Sequence, residues 1–208
     1  MNSEPSTGQT QATAPHAQAF LDAAERCFAR FGIAKTSMDD VAQEAGFSRT
    51  TLYRYFRDRE SLIVASVKQR VEASAGPMRE QLCAIEPFAK RLEEGIVRDV
   101  RRARRDPILG SLLTVNGLAL ADPLVGPDGV GFQLTRLLWE PLLEDARESG
   151  DLATGVKVLD ACSWIAQLEI MFVSTYRADD ASVRHMRRTI RTFVLPALVR
   201  PGTAGERG

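Results

Sequence analysis

An all-α protein is what this sequence predicts, and three observations carry that reading. Apolar residues recur with a 3.6-residue period along most of the 208 residues. No segment shows the sustained period-two alternation of a half-buried strand. Stretches rich in Gly, Pro and Asp, notably ADPLVGPDGVG and ESGDLATG, interrupt the periodic segments at helix-sized intervals.

The first helix is expected from Pro15 to Phe31. Phe20, Ala23, Ala24, Cys27, Phe28 and Phe31 fall at i, i+3, i+4, i+7, i+8 and i+11, one continuous apolar stripe that Gly32 closes. The opening MNSEPSTGQTQATAP is polar and lacks the positive start and apolar core of a secretory signal, so residues 1–14 read as a disordered arm. A short second helix runs from 37 to about 45. Ser37 caps it with Asp40 three residues on, a variant of the capping box, and Met38, Val41, Ala42 and Ala45 face inward. Gly46 can take the left-handed conformation that ends this helix in a tight turn. Ser48 caps a third helix reaching Phe56, and Asp58 caps a fourth in which Leu62, Ile63 and Val67 are apolar. Further helices are expected over 87–105, 108–120, 131–149, 156–176 and 181–199. The tail PGTAGERG, residues 201–208, reads as disordered.

Composition excludes several function classes. With 44% apolar and 26% charged residues the chain can bury a core. No apolar run approaches the ~20 residues of a membrane-spanning helix, which predicts a cytoplasmic protein without a membrane partner. Cys27, Cys83 and Cys162 are odd in number and far apart, and His16 and His185 are the only histidines. Neither a disulfide framework, a metal site nor a histidine-based triad can be assembled from them, so no cofactor and no enzymatic activity are expected. The loop from Gly126 to Gly131 has no following Lys-Ser or Lys-Thr and no preceding strand, so it reads as an inter-helix loop.

The formal net charge is zero, but its distribution is uneven. Between Ser48 and Arg70 stand six basic residues (Arg49, Arg54, Arg57, Arg59, Lys68 and Arg70) against Asp58 and Glu60. A local positive excess is what phosphate binding needs. It lies where two short helices joined by a glycine turn pack on a third, the arrangement of a helix-turn-helix whose second helix enters the major groove. That second helix, SRTTLYRYF, is two-faced: Leu52, Tyr55 and Phe56 pack inward, while Arg49, Thr50, Tyr53, Arg54 and Arg57 face away. Arg49, Thr50 and Arg54 suit base edges, since an arginine can pair bidentately with guanine and a threonine methyl can touch thymine. Tyr53 and the hydroxyls of Thr36, Ser48 and Thr51 suit phosphate oxygens, helped by the open amides at the helix start near Ser37.

The stretch FGIAKTSMDDVAQEAGFSRTTLYRYFRDRESL resembles the signature of the TetR family of transcriptional regulators. The matching features are Thr36-Ser37, the Val41-Ala42-x-x-Ala45-Gly46 turn, Ser48, and Thr51-Leu52-Tyr53-x-Tyr55-Phe56. The resemblance implies backbone contacts from Thr36, Ser48, Thr51 and Tyr53 and base contacts from Arg49, Thr50 and Arg54. Arg59 stands where the family commonly has a lysine, which preserves the charge for a phosphate. It further implies a helix-turn-helix domain over 15–60 and a larger all-helical domain over 61–200, which binds a small molecule and dimerises through its last two long helices.

The region beyond residue 60 carries no readable motif of its own. The helices expected over 156–176 and 181–199 are long, apolar on one side and joined by a short Arg-Ala-Asp-Asp link, so they could form a hairpin that pairs with its symmetry mate or an intramolecular core. A largely apolar effector would find walls in Trp139, Trp164, Met171 and Phe172, and polar groups in Asn116, Gln133, Gln167 and Glu169. Each of these residue types serves equally in a core or on a surface. The dense run Arg98, Arg101, Arg102, Arg104 and Arg105 suits a solvated helix end better than a second nucleic-acid surface. The expected function is a ligand-responsive regulator, a repressor by preference over an activator. It would bind a near-palindromic duplex operator as a homodimer and leave it when an effector binds. An enzyme with a DNA-binding head and a sequence-independent DNA protein are the alternatives.

Overall fold

A computed structural model of the chain describes residues 13–112, 130–175 and 179–201. It divides into two compact units, Met1–Val67 and Lys68–Gly208. Among the described residues there is no β-strand, and the one bridge, between Leu152 and Val199, is isolated.

The first unit is built around α1 (Thr13–Phe31), which starts two residues before Pro15. Its stripe behaves as the periodicity requires for Phe20, Ala23, Ala24, Cys27 and Phe28, all buried; Phe31, at the end of the stripe, is 43% exposed. Gly32, with φ 79°, turns the chain into a single 3₁₀ turn, Ile33–Lys35. Then come α2 (Met38–Ala45), α3 (Arg49–Tyr55) and the start of α4 (Arg59–Cys83). Met38, Val41, Ala42, Leu52, Phe56, Leu62, Ile63 and Val67 complete the core. Aromatic rings tie α1 to α3: Phe20 lies 5.6 Å from Tyr55 and 6.5 Å from Phe56, centroid to centroid.

The second unit contains the rest of α4, α5 (Phe88–Arg105), α6 (Pro107–Leu112), α7 (Val130–Glu148), α8 (Val158–Thr175), α9 (Asp180–Thr189) and α10 (Leu195–Leu198). Asp106 ends α5 and starts α6, its Oδ1 accepting the Ile108 and Leu109 amides at 2.9 and 3.0 Å. The helix expected over 108–120 is described only as far as Leu112, and the residues of the ADPLVGPDGVG loop before Val130 lie outside the described residues, as do 1–12 and 202–208. Where one helix was expected over 181–199, a π turn (Ile190–Val194) separates α9 from α10. Pro196 supplies the reason. It has no amide to donate and its ring crowds the preceding turn, and the wider turn, in which the Leu195 amide reaches Ile190 O, makes room for it.

The second core is one cluster centred on Leu92, Ile96, Trp139, Leu142, Ile165, Phe172 and Ile190. Gly95 lets α7 approach α5: a Cβ there would stand 2.4 Å from the Trp139 ring. α8 packs on α5 and α7, and α9 packs on α5. Charge ties α5 to this end of the chain, the buried Glu93 taking Arg187 of α9 at 2.9 Å and Arg191 of the π turn through both oxygens at 2.7 and 2.9 Å. α8 is an 18-residue helix apolar enough by length and composition to cross a membrane, more than the sequence reading allowed. Its apolar residues Ile165, Phe172 and Val173 are instead core, and it carries Asp160 and Glu169.

Candidate nucleic-acid interface

The interface candidate starts with two caps that hold two short helices. Ser37 accepts the Asp40 amide at 3.2 Å, while Asp40 accepts the Ser37 amide at 2.8 Å and its hydroxyl at 2.6 Å. Those bonds from Ser37 hold the Asp40 carboxyl below its ordinary pKa, so the cap is ionised at neutral pH. Gly46, at φ 75° and ψ 22°, closes α2 in the left-handed region, where a side chain would be strained. Ser48 accepts the Thr51 amide at 3.2 Å and shares a 2.8 Å hydrogen bond with the Thr51 hydroxyl. Asp58 accepts the Ser61 amide at 2.8 Å at the start of α4. Chains of seven and eight residues are too short to be helical alone. The caps and the buried Leu52 and Val41 supply what length cannot.

With Leu52 turned inward, the periodicity of α3 turns Arg49, Thr50, Tyr53 and Arg54 outward. Thr50 and Arg54, at i and i+4, are exposed and have no hydrogen-bond or ionic partner among the described residues. Arg49 and Tyr53 are engaged with each other: the guanidinium lies 5.4 Å from the ring centroid and donates to the phenol oxygen at 3.4 Å. Asp39 on α2 accepts a second bond from Arg49 at 3.0 Å. Arg57 is paired with its neighbour Asp58 at 3.0 Å but remains 91% exposed along its side chain.

A family model for "Bacterial regulatory proteins, tetR family" matches residues 20–65, the stretch that carries this geometry. An HTH-type transcriptional regulator of Mycobacterium tuberculosis is 29% identical over 191 residues, covering 92% of this chain and 89% of its own. Among solved structures, the TetR family repressor AlkX from Dietzia sp. strain DQ12-45-1b, implicated in biodegradation of n-alkanes, is 26% identical, with a TM-score of 0.63 over 86% of this chain and 98% of its own. This chain carries the DNA-binding head of the TetR family. It is a DNA-binding helix-turn-helix transcriptional regulator, not an enzyme. RolR in complex with resorcinol, 18% identical, shares the fold with a TM-score of 0.70 over 91% of this chain and 92% of its own.

Two expected contacts of this TetR-family head are placed differently by the structure. Thr36 is buried and its hydroxyl donates to Gly32 O at 2.9 Å, closing the 3₁₀ turn. Arg59 is half-buried, with Nε donating to Thr36 O at 2.9 Å and Nη2 to Ile33 O. Carbonyls at the end of the 3₁₀ turn attract the guanidinium, which makes Arg59 a latch on that turn. The basic excess also narrows, because Lys68 pairs with Glu72 at 3.8 Å and Arg70 with Asp106 at 2.6 Å, both in the second unit. Sequence reasoning missed Asp39 as the partner of Arg49, and His16, whose Nδ1 lies 3.3 Å from the Tyr55 hydroxyl. The opposite charges of Asp39 and Arg49 across the glycine turn were the available signal.

Among the described residues, those expected to bind an effector do not all gather in one cavity of the regulator's second unit. Trp139 is fully buried and its indole N–H donates to Glu169 Oε1 at 3.0 Å. Burial drives the Glu169 carboxyl well above its ordinary pKa and nearby Asp99 adds to this, while Trp139 and Arg102 oppose it. Phe172 is core. Gln167 and Met171 are exposed on another side of α8, because two residues along a helix is a rotation of about 200° from Glu169, while Trp164 is half-buried and packs against the core. Gln133 lines a separate open groove of about 800 Å³ with Arg79, Phe132, Arg136 and Leu137. Asn116 lies outside the described residues. Burial pushes the Cys162 thiol up to about 12, so that cysteine is an inert packing residue.

Proposed function

We propose that this TetR-family regulator is a cytoplasmic repressor that binds a near-palindromic operator as a homodimer and leaves it when a small-molecule effector binds the second unit. The observation that carries the proposal is the outward pair Thr50 and Arg54, donors with no partner among the described residues on a helix fixed at both ends. Polar groups left open on a rigid element are what base readout requires. Arg49, held by Asp39 and Tyr53, is the third reader; Tyr53, Ser48, Thr51 and the Ser37 helix start line the phosphate side. Ser37 and Ser48 keep accepting their cap amides through a lone pair while the O–H donates to a phosphate, which for Ser37 means turning that O–H away from Asp40.

The repressor role is supported by AlkX, a repressor on the same fold at 26% identity. The resorcinol complex of RolR supports an effector of small aromatic or apolar type. Dimerisation is supported by Leu159 and Met171 on α8 and Phe193 of the π turn, which are 48%, 42% and 68% exposed in the single chain. Large apolar side chains so placed are costly unless a partner covers them. Two recognition helices would then meet half-sites roughly 34 Å apart.

The test is selection of bound fragments from genomic DNA, followed by titration of the enriched duplex. A palindromic enriched site bound by two chains is the expected result, and the neighbouring genes would indicate the effector. Equal affinity for enriched and random duplexes would make the chain a sequence-independent DNA protein. Effector and operator should weaken each other's binding by the same factor.

A further inference from the structure

The arginine run on α5 sorts into two groups once its partners are known. Arg104 donates to Val173 O, and Arg102 holds Asp99 at 2.6 Å and also donates to Ser74. Arg98 reaches Glu94 only at 3.6 Å. Arg101 and Arg105 are exposed and have no hydrogen-bond or ionic partner among the described residues. Arg98, Arg101, Arg102 and Arg105 stand at i, i+3, i+4 and i+7, one stripe along one face of the helix. Together with Asp106 they line a cleft of about 530 Å³. Among the described residues the one carboxylate in that lining, that of Asp106, is already bound to Arg70 at 2.6 Å.

A solvated helix end accounts for arginines in the last turn of α5, where they favour the dipole. It does not account for Arg98 and Arg101, which lie further in, nor for four guanidinium groups converging on one concavity. Like charges at i and i+4 repel, and a cleft concentrates that repulsion. An anion in the cleft relieves it.

We propose that this cleft is a binding site for a ligand carrying two or more linked phosphate groups. The stripe runs about 10 Å along the helix, from seven steps of ~1.5 Å, more than a single carboxylate can span. Guanidinium forks match phosphate oxygens two at a time, and several forks in a row suit a polyanion. The volume lies within the range of ligand sites, roughly 300–1,000 Å³. A concave site with Asp106 in its wall suits a small diphosphate better than a duplex, whose convex backbone would bring a line of phosphates against that carboxylate. The proposal concerns occupancy of the cleft and stands whether or not the ligand is the effector that releases DNA.

The experiment is calorimetric titration of the full chain with inorganic pyrophosphate and, separately, with ADP, at ionic strength held constant with chloride. Saturable binding of either supports the site, and a stronger response to ADP shows that an organic body also fills the cleft. The R101A/R105A variant should lose about 100-fold in affinity, about tenfold for each guanidinium removed. Its unliganded melting temperature should be unchanged or higher, because neither side chain has a structural partner. The R101K/R105K variant, which keeps charge but not the fork, should fall between. Absence of saturable binding, or equal binding by wild type and R101A/R105A, overturns the proposal. So does a silent pyrophosphate titration combined with weaker random-duplex binding by R101A/R105A, which would make the stripe a nucleic-acid surface.

Discussion

Among the described residues of Met1–Val67 the charged side chains are spent on helix ends or turned to the surface, and the buried hydroxyls, Thr36 and Ser66, donate to carbonyls of their own local backbone. In Lys68–Gly208 two carboxyl groups are buried and closed off by partners from other helices. The difference follows from helix length. The head uses helices of seven and eight residues, which need caps to exist and then have outward faces to spare for a ligand as large as DNA. The second unit uses helices of 18 and 19 residues that hold themselves and bury polar groups where they cross. Glu93 and Glu169 show how differently a burial can be resolved. Burial pushes both carboxyls up, but the guanidinium groups of Arg191 and Arg187 outweigh it at Glu93, whose pKa ends lower than usual. At Glu169 burial wins.

The sharpest way to break this contrast is at Trp139. Trp139→Ala should remove about 4 kcal/mol from the second unit by cavity formation and strip Glu169 of its donor, read by denaturant unfolding. A loss near 1 kcal/mol would show that the Trp139–Glu169 crossing is not part of the core. Next comes pH. Glu169 keeps its proton in the folded chain, whereas the unfolded chain releases it above about pH 4.3. Stability should therefore fall as pH rises from there toward the raised value, by about 1.4 kcal/mol per pH unit for one proton. Glu169→Gln should remove that slope and melt higher than wild type at pH 7; parallel curves would place the carboxyl in solvent. Glu93→Gln should act with the opposite sign, because a lowered pKa contributes stability above the unfolded value and loses it as pH falls.

In the head, Arg54→Ala and Thr50→Ala should leave unfolding unchanged and cut discrimination between operator and random duplex by about tenfold or more. An equal loss on both duplexes would assign these residues to phosphates. Arg59→Ala separates latch from phosphate contact: removing a latch costs about 1–2 kcal/mol of stability with an unaltered salt dependence, whereas removing a phosphate contact lowers the salt slope by about 0.9. The smallest effect is at Ser48, where Ser48→Ala should cost about 1 kcal/mol and weaken binding to every duplex alike.

Helix starts and stops were legible because they depend on neighbours in sequence. Ser37 with Asp40, Gly46, Ser48 and Asp58 are local devices, and the stripe of α1 needs only a period. The partners of Arg59 and of Arg49 were not legible, because Ile33, Thr36 and Asp39 meet them only after the turn is made. The effector residues fared worst. Trp139 and Gln133 read alike as possible pocket wall and polar group, and only packing shows that one is core and the other surface.

The sequence by itself therefore determined an all-helical chain, the place of the helix-turn-helix and the family to which the head belongs, since all three rest on periodicity, caps and short spacings. Tertiary structure decided which charges are free. Of the basic residues that looked equivalent, Arg54 and Arg101 have no partner among the described residues, Arg59 closes a turn, and Arg187 and Arg191 neutralise a buried glutamate. A charge acts on a ligand only when no nearer group of the fold has claimed it, and distance between residues far apart in sequence is set by packing alone.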